Sequence, residues 1–222
     1  MSVATYDSPS APGISADHKR ALEWIDAGPK RLLIGGQWVE AVSGKVFETL
    51  NPATEERLTL IAEADSADVD AAVAAARRAL EAPSWSKISP SGITRSLLKI
   101  ADAVEQHAEE LAILETLDNG APLSSTKGRA SQVAEIFRYY AGWPTKIYGT
   151  TNPTDGSRFI YMVREPMGVC ALINAWNVPL VMAAMKIAPA RPGGRGSRRG
   201  SRPPRRGRIR CRYPSAPRRL RP

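Results

Sequence analysis

From Ser66 onward the chain places apolar residues at helical spacing. Val69, Val73, Ala76 and Leu80 recur at intervals of four, three and four, which predicts a helix capped by Ser66 with Arg77, Arg78 and Glu81 turned outward. A second helix is predicted from Pro90 through Ile93, Leu97, Ile100 and Val104. A third runs through Leu111, Leu114 and Leu117 to a stop at Asn119-Gly120-Ala121-Pro122. A fourth, from about Ser124 to Gly142, carries Val133, Ile136, Phe137 and Tyr140 on one side. Ahead of these helices the rhythm is that of strands. Leu32 to Ile34 and Trp38 to Val42 flank Gly35-Gly36, and Val46 to Leu50 follows Ser43-Gly44, so a small antiparallel meander is expected. Residues 1 to 30 read as a loosely held leader with one short helical stretch, His18 to Ala27.

The run Gly168 to Asn174 is short and apolar, as a strand buried on both faces of a parallel sheet is. Arg158 to Arg164, after the turn at Pro153 to Gly156, reads as an exposed strand. Pro179 to Ala188 is a helix apolar nearly all round. The pattern therefore predicts an α/β chain in which a helical layer and short strands come first and a parallel sheet only begins.

Charge changes this picture at one end. The 222 residues carry a net charge of +9, but Arg191 to Pro222 holds 13 Arg, no Lys and no acid. That leaves 18 basic against 22 acidic residues, a balance of −4, for residues 1 to 190. The tail cannot bury enough apolar surface to offset the entropy of ordering, so residues 191–222 are expected to be disordered. Two readings of it stand. One is a nucleic-acid-binding tail on a non-catalytic scaffold, with a salt-sensitive grip on phosphates. The other, which the composition favours, is a frameshifted translation of a GC-rich gene, because Arg, Pro and Gly have GC-rich codons and Lys does not.

Cys170 and Cys211 fit no disulfide framework, and with His18 and His107 they form no metal-ligand pattern, so no metal is expected. No apolar run approaches the ~20 residues of a membrane span, and the first residues lack the apolar core of a signal peptide. No membrane and a cytoplasmic location are the expectations.

The chemistry concentrates in Glu165 to Ala190. A buried strand would deliver Trp176 and Asn177 to its carboxyl end, just before a helix starting near Pro179, where α/β sheets place ligands. The Asn177 amide could donate to an oxyanion developing on a carbonyl substrate. Lys186, alone on an apolar helix, needs a partner or a polar site. The plainer reading makes Trp176 core, Asn177 a helix cap and Lys186 a lysine that snorkels to the surface.

Resemblance separates these. Glu165-Pro-x-Gly-Val, an apolar strand, Trp176-Asn-x-Pro-Leu180 and Lys186-x-Ala-Pro-Ala190 resemble the aldehyde dehydrogenase superfamily at the start of its dinucleotide-binding domain. Upstream, Ile34-Gly-Gly-Gln-Trp38, Asn51-Pro-Ala-Thr54, Asp68 to Arg77, Trp85-Ser86 and Glu115-Thr-Leu-Asp-Asn-Gly120 occur in that family's order, so the resemblance covers about residues 31–190. It implies a partial cofactor-binding domain with an incomplete fold, containing only the start of the Rossmann-like sheet and a projecting hairpin near 148–164 that helps build homo-oligomers. It also implies oxidation of an aldehyde to a carboxylic acid through a thioester on a cysteine, with NAD or NADP as hydride acceptor. Ile173, Asn174, Ala175 and Trp176 would line the cofactor site, Asn177 would stabilise the oxyanion, and Lys186 would support charge relay. Asn174-Ala175 departs from the Ile-Pro type of pair that is commoner there. The family's Glu-Leu-Gly-Gly segment with the general base and its Gly-Gln-x-Cys segment with the nucleophile have no counterpart. The expectation is therefore a truncated, inactive chain.

Overall fold

A computed structural model describes residues 15–190. The disorder expected of residues 191–222 and the first part of the leader lie outside the described residues. Helix α1 (Ala16–Asp26) is capped by Ser15, whose hydroxyl accepts from the His18 amide at 3.1 Å. It is not loosely held, as the leader was expected to be: Ala21, Leu22 and Ile25 are buried, and the helix packs on α5 (Ala108–Asn119).

Two hairpins replace the expected meander. β1 (Leu32–Ile34) pairs antiparallel with β2 (Gln37–Val39), and β3 (Val46–Leu50) with β4 (Arg57–Ala62). They are separate two-stranded sheets, because after β2 the chain turns at Ala41–Gly44 and β3 pairs forward with β4. Lys30, just before β1, bonds to β4 in parallel: its amide donates to Leu60 at 2.8 Å and its carbonyl accepts from Ala62 at 2.9 Å.

Helix α2 (Ser66–Glu81) is capped by Asp65, one residue ahead of the expected Ser66. Asp65 accepts from the Ala67 amide while Asp68 accepts from the Asp65 amide at 3.0 Å, a reciprocal capping box. The other Asp68 oxygen accepts from the Val42 amide at 3.0 Å, so one buried carboxylate fixes the loop after β2 to the start of α2. The expected apolar stripe of α2 is not its buried face. Val69, Val73 and Ala76 are exposed, and Ala75 and Asp68 point inward. Alanine periodicity and the capping carboxylate set the orientation, and the valine side has no covering element among the described residues.

After the single turn α3 (Pro83–Ser86), helix α4 (Pro90–Gln106) begins with Pro90 at its first position and the Ser89 hydroxyl accepting from the Gly92 amide at 3.1 Å. Helix α6 (Leu123–Ala141) lies against both α4 and α5, and α7 (Pro179–Ala190) closes on α6. The main core is built there. Ile93 and Leu97 of α4, Val133 and Phe137 of α6, and Val181 of α7 pack among Ala101, Ala134, Ala141, Ala184 and Ala188. Small residues at these contacts let helix axes approach closely. The predicted stripes of α4 and α6 are thus the packed ones, with Ile100, Val104, Ile136 and Tyr140 at the margin. Leu111, Leu114 and Leu117 of α5 are half-buried, while Ala112, Ile113 and Glu115 are fully inside.

Polar contacts lock the helices. Thr94 donates to the Ala141 carbonyl at 2.7 Å, and the Thr116 and Thr126 hydroxyls meet at 2.8 Å. Arg138 of α6 reaches Glu105 of α4 at 2.6 Å, and that hydrogen bond holds the exposed Glu105 carboxyl below the usual carboxylate range.

Gly120 ends α5 in the left-handed conformation, with φ 75°, and its amide donates to the Thr116 carbonyl at 3.0 Å. A Cβ there would also stand 2.8 Å from Pro52 Cγ. Gly120→Ala is expected to cost about 1–2 kcal/mol, read as a lower urea midpoint at unchanged slope. An unchanged midpoint would show that neither the backbone sign nor the Pro52 approach matters.

The strand expected at Gly168 to Asn174 is absent. Residues 163–178 contain no helix or strand, and the segment is largely exposed. A strand needs a hydrogen-bonding neighbour, and none stands beside it among the described residues. Before it, β5 (Thr150–Asn152) and β6 (Ile160–Met162) form an exposed antiparallel hairpin within the expected 148–164 span. The expected strand Arg158 to Arg164 shortens to three residues.

Candidate functional site

The residues singled out for chemistry gather around the first turn of α7, on the irregular segment leading into it. Gly168 starts that segment with φ 101°, a value that admits glycine at no steric cost. Asn174 then turns its side chain forward, and its amide donates to the Pro179 carbonyl at 2.9 Å. This ties the approach to the helix it precedes. Lys186, two turns along α7, donates to the Ile173 carbonyl. The lone lysine of an apolar helix thus finds a backbone partner, and α7 restrains the loop at two successive residues.

Asn177 sits at the corner. The Val178 carbonyl accepts the first helical bond, from the Met182 amide at 3.0 Å, so Asn177 stands just outside the helix with an exposed side chain. Its carbonyl accepts from the Asn119 side-chain amide at 3.4 Å. Asn119 itself is held by the turn after α5, where its side-chain oxygen accepts from the Ala121 amide at 2.9 Å. In the sequence, Asn119-Gly120 reads as a helix stop and as the end of the Glu115 to Gly120 motif, with no site role attached. The residue also joins the end of α5 to the corner of the candidate site, and an amide adjoining a helix-ending glycine was the signal available.

Of the six candidates, Ile173 and Lys186 are joined directly, Asn174 is tied to the first residue of α7, and Asn177 is held separately, by Asn119. Ala175 is half-buried between them. Trp176 is 84% exposed and Ile173 83%, so neither is core. A dinucleotide needs two walls, and these residues present one open face. The described residues do not enclose NAD or NADP. Cys170, expected inside a buried strand, is exposed, with its thiol 3.9 Å from the Gly168 carbonyl and no base bonded to it among the described residues. Among the described residues no group of three or more His, Cys, Asp or Glu could hold a metal, and no helix is long and apolar enough to cross a membrane.

A second polar centre lies below this corner. Glu115 is buried, with one oxygen 3.0 Å from Arg129 Nη1 and the other without a partner among the described residues. It lines an apolar groove of about 410 Å³ together with Trp24, Ile61, Leu114, Leu180 and Asp118. Nothing in the spacing of the sequence distinguished Glu115 from the solvated acids around it.

Comparison with known proteins agrees with the ordered motifs. The model of the aldehyde dehydrogenase family matches residues 38–194. The chain is 47% identical over 167 residues to aldehyde dehydrogenase family 2 member B4, mitochondrial, of Arabidopsis thaliana, covering 75% of this chain and 31% of that protein. It is 46% identical over 162 residues to an aldehyde dehydrogenase of Aspergillus niger, covering 73% and 32%. Among solved structures, the NAD+ complex of aldehyde dehydrogenase from Bacillus cereus superposes with a TM-score of 0.76 at 40% identity, over 82% of this chain and 36% of that one. The chain spans about a third of the length of these relatives, and its helical layer with short hairpins is the corresponding part of their fold, an incomplete aldehyde-dehydrogenase-like α/β fold. The chain belongs to the aldehyde dehydrogenase family.

Proposed function

We propose that the whole protein to which this chain corresponds oxidises an aldehyde to a carboxylic acid, with water consumed and hydride delivered to NAD or NADP. The observation that supports this most directly is the corner at the start of α7, where Lys186 and Asn174 hold the backbone that presents Trp176 and Asn177. In this reading the Asn177 amide donates to the oxyanion that forms when a nucleophile adds to the aldehyde carbon. Lys186 acts on the approach segment through the Ile173 carbonyl, keeping residues 173–176 in place as one wall of the cofactor site. Family membership, and the NAD+ named for the Bacillus cereus relative, support the cofactor class.

The 222-residue chain supplies no nucleophile with a neighbouring base among the described residues, and we infer that it does not turn over by itself. The exposed hairpin β5–β6, with Phe159 and Tyr161 open to solvent, is the proposed edge through which whole subunits associate in the cytoplasm. The Arg-rich stretch after Ala190 is read as out of frame.

The test joins gene and protein. Resequencing across the codons for Lys186 to Arg195 and onward is expected to open, on one corrected base, a frame encoding a general-base and a cysteine segment. The purified 222-residue chain is expected to form no NADH from propanal, and the corrected chain to form it, with kcat lowered about 10²-fold or more by Asn177→Ala. Turnover by the uncorrected chain overturns its inferred inactivity, an unaffected Asn177→Ala removes the oxyanion role, and a corrected chain that forms no NADH or NADPH sinks the assignment.

A further inference from the structure

A cavity away from the α7 corner is lined by none of the residues proposed for catalysis. Its volume is about 680 Å³, within the range of small-molecule sites. The end of α1 and the link to β1 supply one wall through Trp24, Lys30 and Arg31. β2 and the loop after it supply the other through Trp38, Glu40 and Lys45. The first wall lies ahead of the stretch matched by the family model, 38–194, and the second lies at its start.

Two features distinguish the cavity from a bare surface cleft. Both indoles are open to water, Trp24 by 48% and Trp38 by 64%, although each could have been buried at a gain in apolar free energy. Trp24 is also held in place. The Lys30 ammonium donates to the carbonyls of Trp24 and Ile25 and lies 4.2 Å from the centroid of the Trp24 ring, and its partial burial lowers its pKa from the ordinary lysine value. Lys30 thus works as a brace.

The remaining charge faces the cavity. Lys45 makes no ion pair among the described residues, and Arg31 reaches Glu40 only at 3.7 Å, an exposed pair of little strength. Three cations against one carboxylate leave the lining positive. Flat apolar rings beside a positive lining, with Lys45 unpaired among the described residues and Arg31 only weakly paired, are complementary to a ligand that is itself flat, apolar and negatively charged at one end.

We propose that this cavity binds a small aromatic anion, a ring bearing one phosphate or carboxylate group, with the ring against Trp24 and Trp38 and the anion held by Lys45 and Arg31. The ring supplies the apolar contact and the charge sets its direction, with the anionic end toward the loop after β2. The excess of cations over the single carboxylate, Glu40, disfavours ligands with a cationic end.

The experiment titrates the full chain with phenyl phosphate, by calorimetry and by tryptophan fluorescence, with inorganic phosphate and phenol in parallel. Saturable binding of phenyl phosphate is expected, at least about tenfold tighter than either half alone. Lys45→Glu and Trp38→Leu each weaken it about tenfold, while the melting temperature confirms that both exposed substitutions leave the fold intact. The 13 Arg of residues 191–222 also attract anions, but that attraction is indifferent to Trp38 and does not separate phenyl phosphate from phosphate. Affinity unchanged in both variants, absence of saturation, or equal binding of inorganic phosphate overturns the proposal.

Discussion

Arg129→Met is expected to destabilise the chain by about 3 kcal/mol or more, although it removes one ion pair and replaces a long side chain by another of similar reach. The reason is what remains. Glu115 is 5% exposed, and among the described residues only one of its oxygens has a partner, Arg129 at 3.0 Å. Without the guanidinium the carboxylate would be buried with neither oxygen satisfied, and the cost of leaving a charge unpaired exceeds the worth of the pair itself. The double variant Glu115→Leu/Arg129→Met separates the two quantities. It removes the orphaned group together with its partner and is expected to recover more than half of the loss, because an apolar side chain suits the surroundings of Leu111, Leu114 and Leu180. Urea unfolding of both variants, at equal slope, measures the difference. A double variant as unstable as Arg129→Met would mean that the pair specifies the packing of α5 on α6 beyond its own charge balance.

Leu97→Ala should cost a similar amount, about 3 kcal/mol, through a different mechanism. Leu97 is fully buried in the core shared by α4, α6 and α7, where five of the other nine buried residues are alanines, which have no side-chain freedom with which to fill a void. Leu98, the next residue on the same helix, is 38% exposed, and Leu98→Ala is expected to lose less than about 1 kcal/mol. The contrast between adjacent leucines tests the orientation of α4. Equal losses would place the helix at the wrong rotation, and the core shared by α4, α6 and α7 would have to be redrawn.

What the amino-acid pattern revealed, and what it hid, depends on how each element is stabilised. α4 and α6 were legible because they bury a long apolar stripe against each other, and Ile93, Leu97, Val133 and Phe137 sit at the spacing such a stripe requires. α2 was legible as a helix but not in its rotation. Its inward residues are Ala75 and a capping aspartate, and no hydrophobicity pattern ranks an aspartate above two valines. Gly168 to Asn174 was misread for a further reason. Its sequence describes a strand between neighbours, and strand structure depends on hydrogen bonds to segments remote in the chain, whereas a helix satisfies its own. The candidate site shares this asymmetry. Lys186 and Asn177 were found by motif, but the bonds that position them run from Ile173 and Asn119 across the fold, and spacing along the chain could not supply those partners.

The order in which the helices meet has a consequence for the chain while it is being made. α4, α5 and α6 are consecutive and contact one another, so residues 90–141 contain a helical unit whose contacts are short in sequence. That unit can form at the ribosome before residues 179–190 have been synthesised. Until α7 emerges, however, the side of α6 that it will cover stays bare, and residues 142–178 intervene. Throughout that interval the nascent chain presents a formed but unfinished surface, and this is the stage of synthesis at which a molecular chaperone would find the most to hold.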